Sequence, residues 1–278
     1  MRGNFVVAIG LIVTSACSLY GFEGYTTEPD GSSDAGSESG ADAASDASSP
    51  PSDAGADTGP PDPYGDAVRV DGPVAWYRFE EDPIANAAKD SAGNRTANLI
   101  GGSMGFGAKG ISGRGIATDG GGNGFTLGND LGFAGAAPFS LEVWIRPKST
   151  PEDQYIFYKR ESVGDSLRGW IFYLGGDLSP HFENWGTALS ARSDSPLPSG
   201  YVHVVITVSF ENAYGLAKLW LNAQPQPLSF GEQGASTPAT SAALELLSSF
   251  EGEADELAIY DKALTADRIL AHYVAGKP

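Results

Sequence analysis

The chain has 278 residues, a formal net charge of −18 and a single cysteine. One cysteine excludes an internal disulfide, so the folded part has to be held together by its core. The excess of acidic groups would be repelled by phosphate backbones, and we therefore exclude nucleic acid as a partner. Aromatic residues make up 10% of the chain, which is enough for a core and for some exposed rings.

Residues 1–16 have the pattern of a secretion signal peptide. Arg2 supplies a positive charge, and an almost uninterrupted apolar run follows from residue 5 to residue 13. This run is too short for a transmembrane helix, which takes about 20 residues. We therefore expect the segment to be cleaved and the protein to be secreted.

Residues 14–17, Thr-Ser-Ala-Cys, resemble a bacterial lipobox, in which cleavage precedes a cysteine that becomes lipidated. The resemblance implies lipidation at Cys17 and attachment to a membrane through that lipid. Ser18 stands where an aspartate often retains lipoproteins at the inner membrane, so the expected location is the bacterial outer membrane or cell surface. An ordinary secretory signal with an incidental cysteine is the alternative.

The composition of residues 17–67 predicts a disordered acidic tether. No Lys or Arg occurs between Arg2 and Arg69, and from about residue 26 the segment is mostly Asp, Ser, Ala, Gly and Pro. Such a composition buries too little apolar surface to offset the entropy of ordering. A flexible chain of about 40 residues has a root-mean-square span of about 35 Å, so it would present a folded domain at a distance from its anchor. A purely solubilising role is the alternative.

The pattern of residues 68–278 predicts one all-β domain, a two-sheet antiparallel β-sandwich of the jelly-roll kind. Short apolar runs alternate with polar residues and are separated by Gly, Asn, Asp and Pro turns, as is typical of such sandwiches. A single short C-terminal helix is predicted over residues 266–273, with Thr265 as its N-cap. The clearest strands cover residues 141–145, 202–210, 218–221 and 257–260.

Four segments in order resemble the laminin-G-like jelly rolls of the concanavalin A-like lectin and glucanase superfamily. They contain an Asp-Ser-x-Gly-Asn turn, a Trp-x-Arg-Pro strand end, a Tyr-x-His-Val strand start and an Asp-Glu-x-x-Ile-Tyr ending, within residues 74–94, 139–147, 201–204 and 253–265. The segment 162–199 follows no pattern of the family, and such folds place their specificity in variable loops. Ala223 stands where glycine would suit a tight hairpin, which argues against a two-residue type I′ turn there.

The resemblance also implies a structural calcium where the first and last strands are neighbours. Calcium takes about six to eight oxygen ligands, several of them carboxylates or backbone carbonyls. The first candidates are Asp90 and Asp255, and the next are Glu80 and Asn94. The alternative is that Asp90 caps its own turn and that Asp255 faces water.

The spacing of the acidic residues argues against an enzyme. Family-16 glycoside hydrolases, which share this superfamily, carry a Glu-x-Asp-x-x-Glu strand, and such chemistry takes two carboxylates that flank the scissile bond. The one carboxylate-dense strand here, residues 251–256, has a different spacing and matches the terminal strand. Catalytic residues that come together only in the folded chain would leave no such spacing in the sequence, so a glycoside hydrolase of the same fold is an alternative.

Aromatic residues in segment 162–199 predict a carbohydrate site. Sugars stack on aromatic rings while nearby polar groups bind their hydroxyls, as in ligand sites generally. Tryptophans at alternating positions are otherwise core, as predicted for Trp76 and Trp144. The sequence thus predicts a non-catalytic surface protein that binds a polysaccharide or glycoprotein, and an envelope module with a protein partner is a further alternative. The candidate ligand-binding residues are Trp170, Tyr173, His181 and Trp185.

Overall fold

The computed structural model describes residues 61–102, 104–185, 189–211, 214–230, 234 and 236–277. The predicted signal peptide, the predicted lipidation site Cys17 and residues 17–60 of the predicted tether lie outside the described residues. None of the helices in the described ranges is long and apolar enough to cross a membrane.

The described chain forms two antiparallel sheets, with one helix before the first strand and one after the last strand. In chain order the elements are α1 (Pro63–Asp71), β1 (Ala75–Tyr77), β2 (Ala87–Ala88), β3 (Ala97–Ile100), β4 (Gly105–Lys109), β5 (Arg114–Asp119), β6 (Gly124–Thr126), β7 (Phe139–Pro147), β8 (Gln154–Val163), β9 (Ser166–Leu174), β10 (Pro180–Trp185), β11 (Leu189–Arg192), β12 (Val202–Glu211), β13 (Tyr214–Leu221), β14 (Gln224–Pro225), β15 (Ser229–Phe230), β16 (Glu245–Leu246), β17 (Glu251–Tyr260) and α2 (Ala266–Gly276).

Sheet I has the strand order β14-β13-β12-β7-β17-β5-β4, with β1 also paired to β17, and sheet II has the order β15-β11-β10-β9-β8-β16-β6-β3-β2. The predicted all-β sandwich is therefore confirmed. The four clearest predicted strands lie within β7, β12, β13 and β17, and the predicted C-terminal helix is α2. Its cap is also confirmed, because Thr265 Oγ1 accepts a hydrogen bond from the Arg268 N–H at 3.4 Å.

The main core lies between the two sheets. Residues Val202, Val204, Ile206 and Val208 alternate along β12 and are all buried in it, as their period of two predicts. The rings that fill the core from both sheets include Phe125, Phe139, Phe157, Phe172 and Phe182.

A second apolar layer covers the outer face of sheet I. Trp76 and Trp144 are fully buried, which confirms that they are core, and they belong to this second layer. Helix α1 contributes Tyr64 and Val68, and α2 contributes Ile269. Both helices therefore pack on sheet I.

The folded domain begins before residue 68. Asp62 caps α1 by accepting a hydrogen bond from the Gly65 N–H at 3.0 Å, and the helix ends at Gly72 in the left-handed conformation. Tyr64 and Val68, one turn apart, are buried against sheet I. The predicted boundary between residues 67 and 68 is wrong, because it cuts through this helix. The sequence did not reveal the helix, since a short helix with few apolar residues has a composition similar to that of the polar segment before it.

The turn between β13 and β14 also differs from the prediction. Leu221 pairs with Gln224, so the loop has two residues, and both have positive φ, 51° at Asn222 and 60° at Ala223. This is the geometry of a type I′ turn, which the alanine had argued against. Ala223 is buried in the second apolar layer, and that packing supports a backbone conformation that is costly for a residue with a Cβ.

A buried carboxylate joins the helices to sheet I. Glu142, in the middle of β7, is inaccessible to solvent. It accepts hydrogen bonds from Tyr64 Oη at 2.9 Å, Tyr260 Oη at 2.7 Å and His203 Nε2 at 2.7 Å. His272 Nδ1 of α2 lies 3.0 Å from its Oε2. The carboxylate therefore has partners from α1, α2 and two neighbouring strands.

His272 lies between two acidic groups. Its Nδ1 faces Glu142 and its Nε2 lies 2.9 Å from Asp71 Oδ2 at the end of α1. Burial alone would lower the pKa of His272, but the carboxylates of Glu142 and Asp71 raise it above its ordinary value. Conversely, burial alone would raise the pKa of Glu142, but His272 and His203 hold it well below the ordinary range. The geometry fits an imidazolium with both N–H groups donating.

We expect a chain that begins at residue 61 to be more stable than one that begins at residue 68. The shorter chain lacks Tyr64, and removing a buried large aromatic side chain costs about 3–5 kcal/mol. Urea unfolding of both chains measures the difference. Tyr64→Phe in the longer chain is the control, because it removes only the hydroxyl bonded to Glu142 and should cost about 1.5–3 kcal/mol, the range for hydrogen bonds to charged groups. Equal stability of the two chains would show that α1 contributes nothing to the fold.

We expect the stabilisation by His272 to depend on pH. Because its pKa is raised on folding, the contribution is fully present below the unfolded value of 6.5 and is lost as pH rises through the folded value. Breaking a buried ion pair costs about 3–5 kcal/mol, so His272→Gln should lower the free energy of unfolding by about that much at pH 6 and by less at pH 9. His181→Gln, on a different sheet, is the control of opposite sign, because the pKa of His181 is lowered on folding and its removal should not cost more at pH 6 than at pH 9. A pH-independent effect of His272→Gln would contradict the charged state.

Candidate functional site

The outer face of sheet II carries a group of partly exposed rings. Along β9, Trp170 and Phe172 point into the core and are buried, whereas Tyr173 is half-buried on the opposite side. Among the described residues, both helices pack on sheet I, so neither covers this side of the sandwich. We call the following set the outer face of sheet II: Tyr155, Tyr158, Arg160, Tyr173, His181, Glu183, Trp185 and Arg192.

Three rings of this face form a row across β8, β9 and β10. Tyr155 pairs with Tyr173, and Tyr173 pairs with His181. Their ring centroids are 5.8 Å apart in the first pair and 4.7 Å apart in the second, where the rings stack at 26°. Tyr158 meets Tyr155 edge-to-face at 5.2 Å. The row presents an almost continuous aromatic surface.

A register shift in β8 brings Tyr155 and Tyr158 onto the same face. Residues three apart in a regular strand point to opposite faces, but the pairing of β8 with β9 shifts between Tyr155 and Phe157. The bulged residue, Ile156, is buried. The irregularity therefore adds a ring to the outer face without removing Phe157 from the core.

A second group on the same face surrounds Arg160. Its guanidinium carbon lies 5.3 Å from the centroid of the Tyr158 ring and 5.6 Å from that of Trp185. Arg160 and Trp185 pair with the same residue of β9, Gly169. Gly169 has a φ of 103°, and a Cβ there would lie 2.0 Å from the carbonyl oxygen of Lys159, so only glycine fits between them.

Polar groups lie beside the rings. Tyr173 Oη donates to Glu183 Oε1 at 2.9 Å, and His181 Nε2 lies 2.9 Å from Ser179 Oγ. Burial, with the positive charge of Arg192, lowers the pKa of His181, so its ring is neutral at pH 7. Burial also raises the pKa of Tyr173, and Glu183 adds to this effect. At neutral pH the face therefore offers uncharged hydrogen-bonding rings.

An acidic cleft adjoins the aromatic row. Its volume is about 560 Å³, within the usual range for small-ligand sites. Tyr155 lines the cleft and also belongs to the row. Four carboxylate residues share the cleft with it, namely Asp119, Glu152, Asp153 and Glu251. Glu251 lies 3.5 Å from Lys148 Nζ, and Asp119 accepts a hydrogen bond from Asn123 at 3.0 Å.

The structure removes Trp170 from the predicted ligand-binding residues. Its side chain is fully buried, packs against Phe133 and Phe139, and donates through Nε1 to the Gly132 carbonyl at 3.4 Å. The prediction was wrong because Trp170 lies on the core side of β9. A sugar has no access to this ring.

The other three candidates, Tyr173, His181 and Trp185, share the outer face of sheet II. They lie in β9 and β10, so the part of segment 162–199 that carries them consists of strands and not of a variable loop. Their part in ligand binding stays a prediction. The sequence reasoning missed Tyr155, Tyr158 and Arg160, which precede the segment. Cross-strand pairing of β8 with β9 would have pointed to them.

The predicted calcium ligand Asp90 caps a turn. Its Oδ1 accepts hydrogen bonds from the N–H groups of Trp76 and Ala92, each at 2.9 Å, and its Oδ2 accepts from the Arg95 N–H at 3.1 Å. Asn94, in the same turn, is exposed. The arrangement matches the turn-cap alternative.

Asp255 is fully buried and does not face water. Its Oδ2 accepts from the Ile111 and Ser112 N–H groups at 2.8 and 3.3 Å, and its Oδ1 accepts from the Glu256 N–H at 2.9 Å. Burial and the adjacent Glu256 raise the pKa of Asp255. Glu80 binds the other end of the same turn, accepting from the Arg114 N–H at 3.1 Å.

These residues do not fit the calcium site that the resemblance implies. Backbone N–H groups bind the oxygens that a metal would need, on both first-choice ligands. In the part of the chain that the structure describes, no three His, Cys, Asp or Glu side chains are grouped to hold a metal. The four predicted ligands are therefore not gathered into one centre, and calcium binding by the chain stays a prediction.

We expect Asp90→Ala to destabilise the domain equally in calcium and in chelator. Each buried amide left without an acceptor costs about 1–3 kcal/mol, and Trp76 N–H is buried. Thermal melts in millimolar calcium and in chelator measure the effect, and Asn94→Ala is the exposed control from the same turn. A loss of stability seen only in calcium would restore Asp90 as a metal ligand.

Comparison with known folds agrees with this architecture. Domain 4 of AbnA, a GH43 extracellular arabinanase from Geobacillus stearothermophilus solved with arabinotriose, is 19% identical, with 72% of this chain and 98% of that chain aligned at a TM-score of 0.50. The botulinum neurotoxin serotype D ligand-binding domain, solved with N-acetylneuraminic acid, is 14% identical over 75% of this chain and 52% of that chain, at a TM-score of 0.51. Trypanosoma rangeli sialidase is 13% identical over 73% of this chain, at a TM-score of 0.50.

These likenesses show the fold alone. The chain spans 32% of the sialidase and 52% of the toxin domain. No curated protein sequence matches the chain. A family model described as the concanavalin A-like lectin/glucanases superfamily matches residues 119–270, which is more than half of the chain. The chain therefore belongs to the concanavalin A-like lectin/glucanases superfamily.

Proposed function

We propose that the protein binds carbohydrate without hydrolysing it, through the outer face of sheet II. The observation that carries the proposal is the row of Tyr155, Tyr173 and His181, with Trp185 on the same face, which neither described helix covers. Rings of this kind supply flat apolar contact area at a low entropic cost, and their polar edges bind hydroxyls. The ligand is a polysaccharide or the glycan of a glycoprotein.

The geometry supports stacking combined with hydrogen bonding. Glu183 accepts from Tyr173, and Ser179 contacts His181, so the polar groups beside the rings are held in place. Arabinotriose and N-acetylneuraminic acid are the ligands in two of the similar structures, which supports a sugar as the ligand class for this fold. The acidic cleft lies next to Tyr155, so it adjoins one end of the aromatic row.

Weak single sites fit a tethered protein. Stacking on one ring contributes about 1–3 kcal/mol if it resembles the stacking of nucleic-acid bases. Many copies presented together on long chains gain avidity without new contacts. We therefore include in the proposal the lipid anchor at Cys17, the acidic tether and a location at the bacterial surface.

We expect Tyr173→Ala and Trp185→Ala to weaken glycan binding by about 5- to 150-fold, the equivalent of about 1–3 kcal/mol. Both rings are partly exposed, so the melting temperature should change little. A glycan array with the mature chain, followed by titration of the strongest ligand, measures the effect. The matched control is Tyr214→Ala, because Tyr214 is 61% exposed but lies on sheet I.

Three results would contradict the proposal. Equal losses with Tyr214→Ala would show that the outer face of sheet II is not the site. Release of reducing sugar from a bound polysaccharide would make the protein a hydrolase and direct attention to the carboxylates of the cleft. Binding to a protein partner with no glycan ligand would support an envelope module.

A further inference from the structure

We propose that the outer face of sheet II selects an acidic sugar and that Arg160 binds its anionic group. This inference rests on the carbohydrate binding proposed above and adds a ligand class to it. The anionic group is a carboxylate or a sulfate, since both offer two or more oxygens to a guanidinium.

The first support is the absence of an acidic partner for Arg160. Most of the other arginines in the described ranges pair with carboxylates, for example Arg146 with Glu253, Arg268 with Asp71 and, on the same face, Arg192 with Asp177 at 3.9 Å. Within the described ranges, no carboxylate forms an ion pair with Arg160, and its guanidinium instead lies over the rings of Tyr158 and Trp185. Its positive charge is thus available to a ligand.

The second support is that Arg160 is held in position. Rings on two sides limit the rotamers of its side chain, which reduces the entropy lost when a ligand binds. A guanidinium is weakly hydrated and presents a planar fork of N–H donors that matches two oxygens at once. An arginine that lacks an ion pair and is fixed by aromatic rings is suited to bind an anion.

The third support is the neighbourhood of the group. Glu183 lies in the same cross-strand row as Tyr158, the residue whose ring contacts Arg160. Its carboxylate accepts a hydrogen bond from Tyr173. His181 and Trp185 are four residues apart in β10, so Trp185 lies about 13 Å along that strand from the aromatic row. The face is therefore long enough for several sugar units, and Arg160 would bind the anionic group at the end near Trp185.

The charge of the whole protein makes this selection informative. A cationic protein retains polyanions without specificity, but this chain has a net charge of −18 and repels them on average. Retention of an acidic polysaccharide would then depend on a particular cation. Arg160 is the cation that the outer face of sheet II leaves without an acidic partner among the described residues.

Matched polysaccharide pairs test the proposal with the mature chain. The probes are polygalacturonate against its methyl ester, and dextran sulfate against dextran, each titrated at a fixed ionic strength. We expect wild type to prefer at least one charged member of these pairs. Which pair shows the preference distinguishes a carboxylate from a sulfate.

Arg160→Gln should reduce that preference, the ratio of the two affinities, by about 10- to 100-fold, the range for hydrogen bonds to charged groups. Arg160→Lys keeps the charge but not the planar fork and should lose part of the ratio, so it tests the proposal if the glutamine variant folds poorly. Arg168→Gln is the matched control, because Arg168 is an exposed arginine of the neighbouring strand β9.

The outcomes separate the two levels of the proposal. A wild type that prefers the neutral members, or a ratio unchanged by both Arg160 variants, overturns the role of Arg160 and leaves carbohydrate binding in place. Equal losses with Arg168→Gln overturn it as well. A wild type that binds no polysaccharide in these pairs or on the glycan array overturns the proposed function itself.

Discussion

The buried charge of Glu142 decides which side of the sandwich is covered. A carboxylate in the middle of a sheet is very costly unless its oxygens are fully paired. Its donors come from α1 through Tyr64, from α2 through His272, and from the strands through His203 and Tyr260. Two helices that are far apart in the sequence are thus drawn to the same face of sheet I. This chain has no internal disulfide, and the hydrogen bonds of Glu142 attach the first and the last helix of the domain to sheet I.

The uncovered side follows from this asymmetry. With both described helices on sheet I, the outer face of sheet II meets solvent, and its side chains are free to serve a ligand. Strand β9 shows the division most clearly, because Trp170 fills the core while Tyr173, three residues on, joins the aromatic row. The same alternation that builds the core therefore also builds the candidate site.

The sequence predicted what local periodicity and capping determine. Strands such as β12 and the Thr265 cap of α2 depend on residues near in sequence, and both were recognised. Alternation shows that β9 has two faces, but it does not show which one is core when both carry rings, so Trp170 was misassigned. The bulge in β8 and the helix α1 depend on partners far along the chain, as in the bond between Tyr64 and Glu142, 78 residues apart.

The acidic motifs of the family show a related limit. Asp90 and Asp255 stand where the resemblance implies metal ligands, yet each accepts three backbone N–H groups. A metal at either residue would have to displace these backbone hydrogen bonds and leave buried N–H groups without an acceptor, which is costly. A motif thus fixes where an acidic side chain lies, while the surrounding backbone decides what its oxygens bind. In this chain the oxygens of Asp90 hold the turn that follows β2, and those of Asp255 hold the turn between β4 and β5.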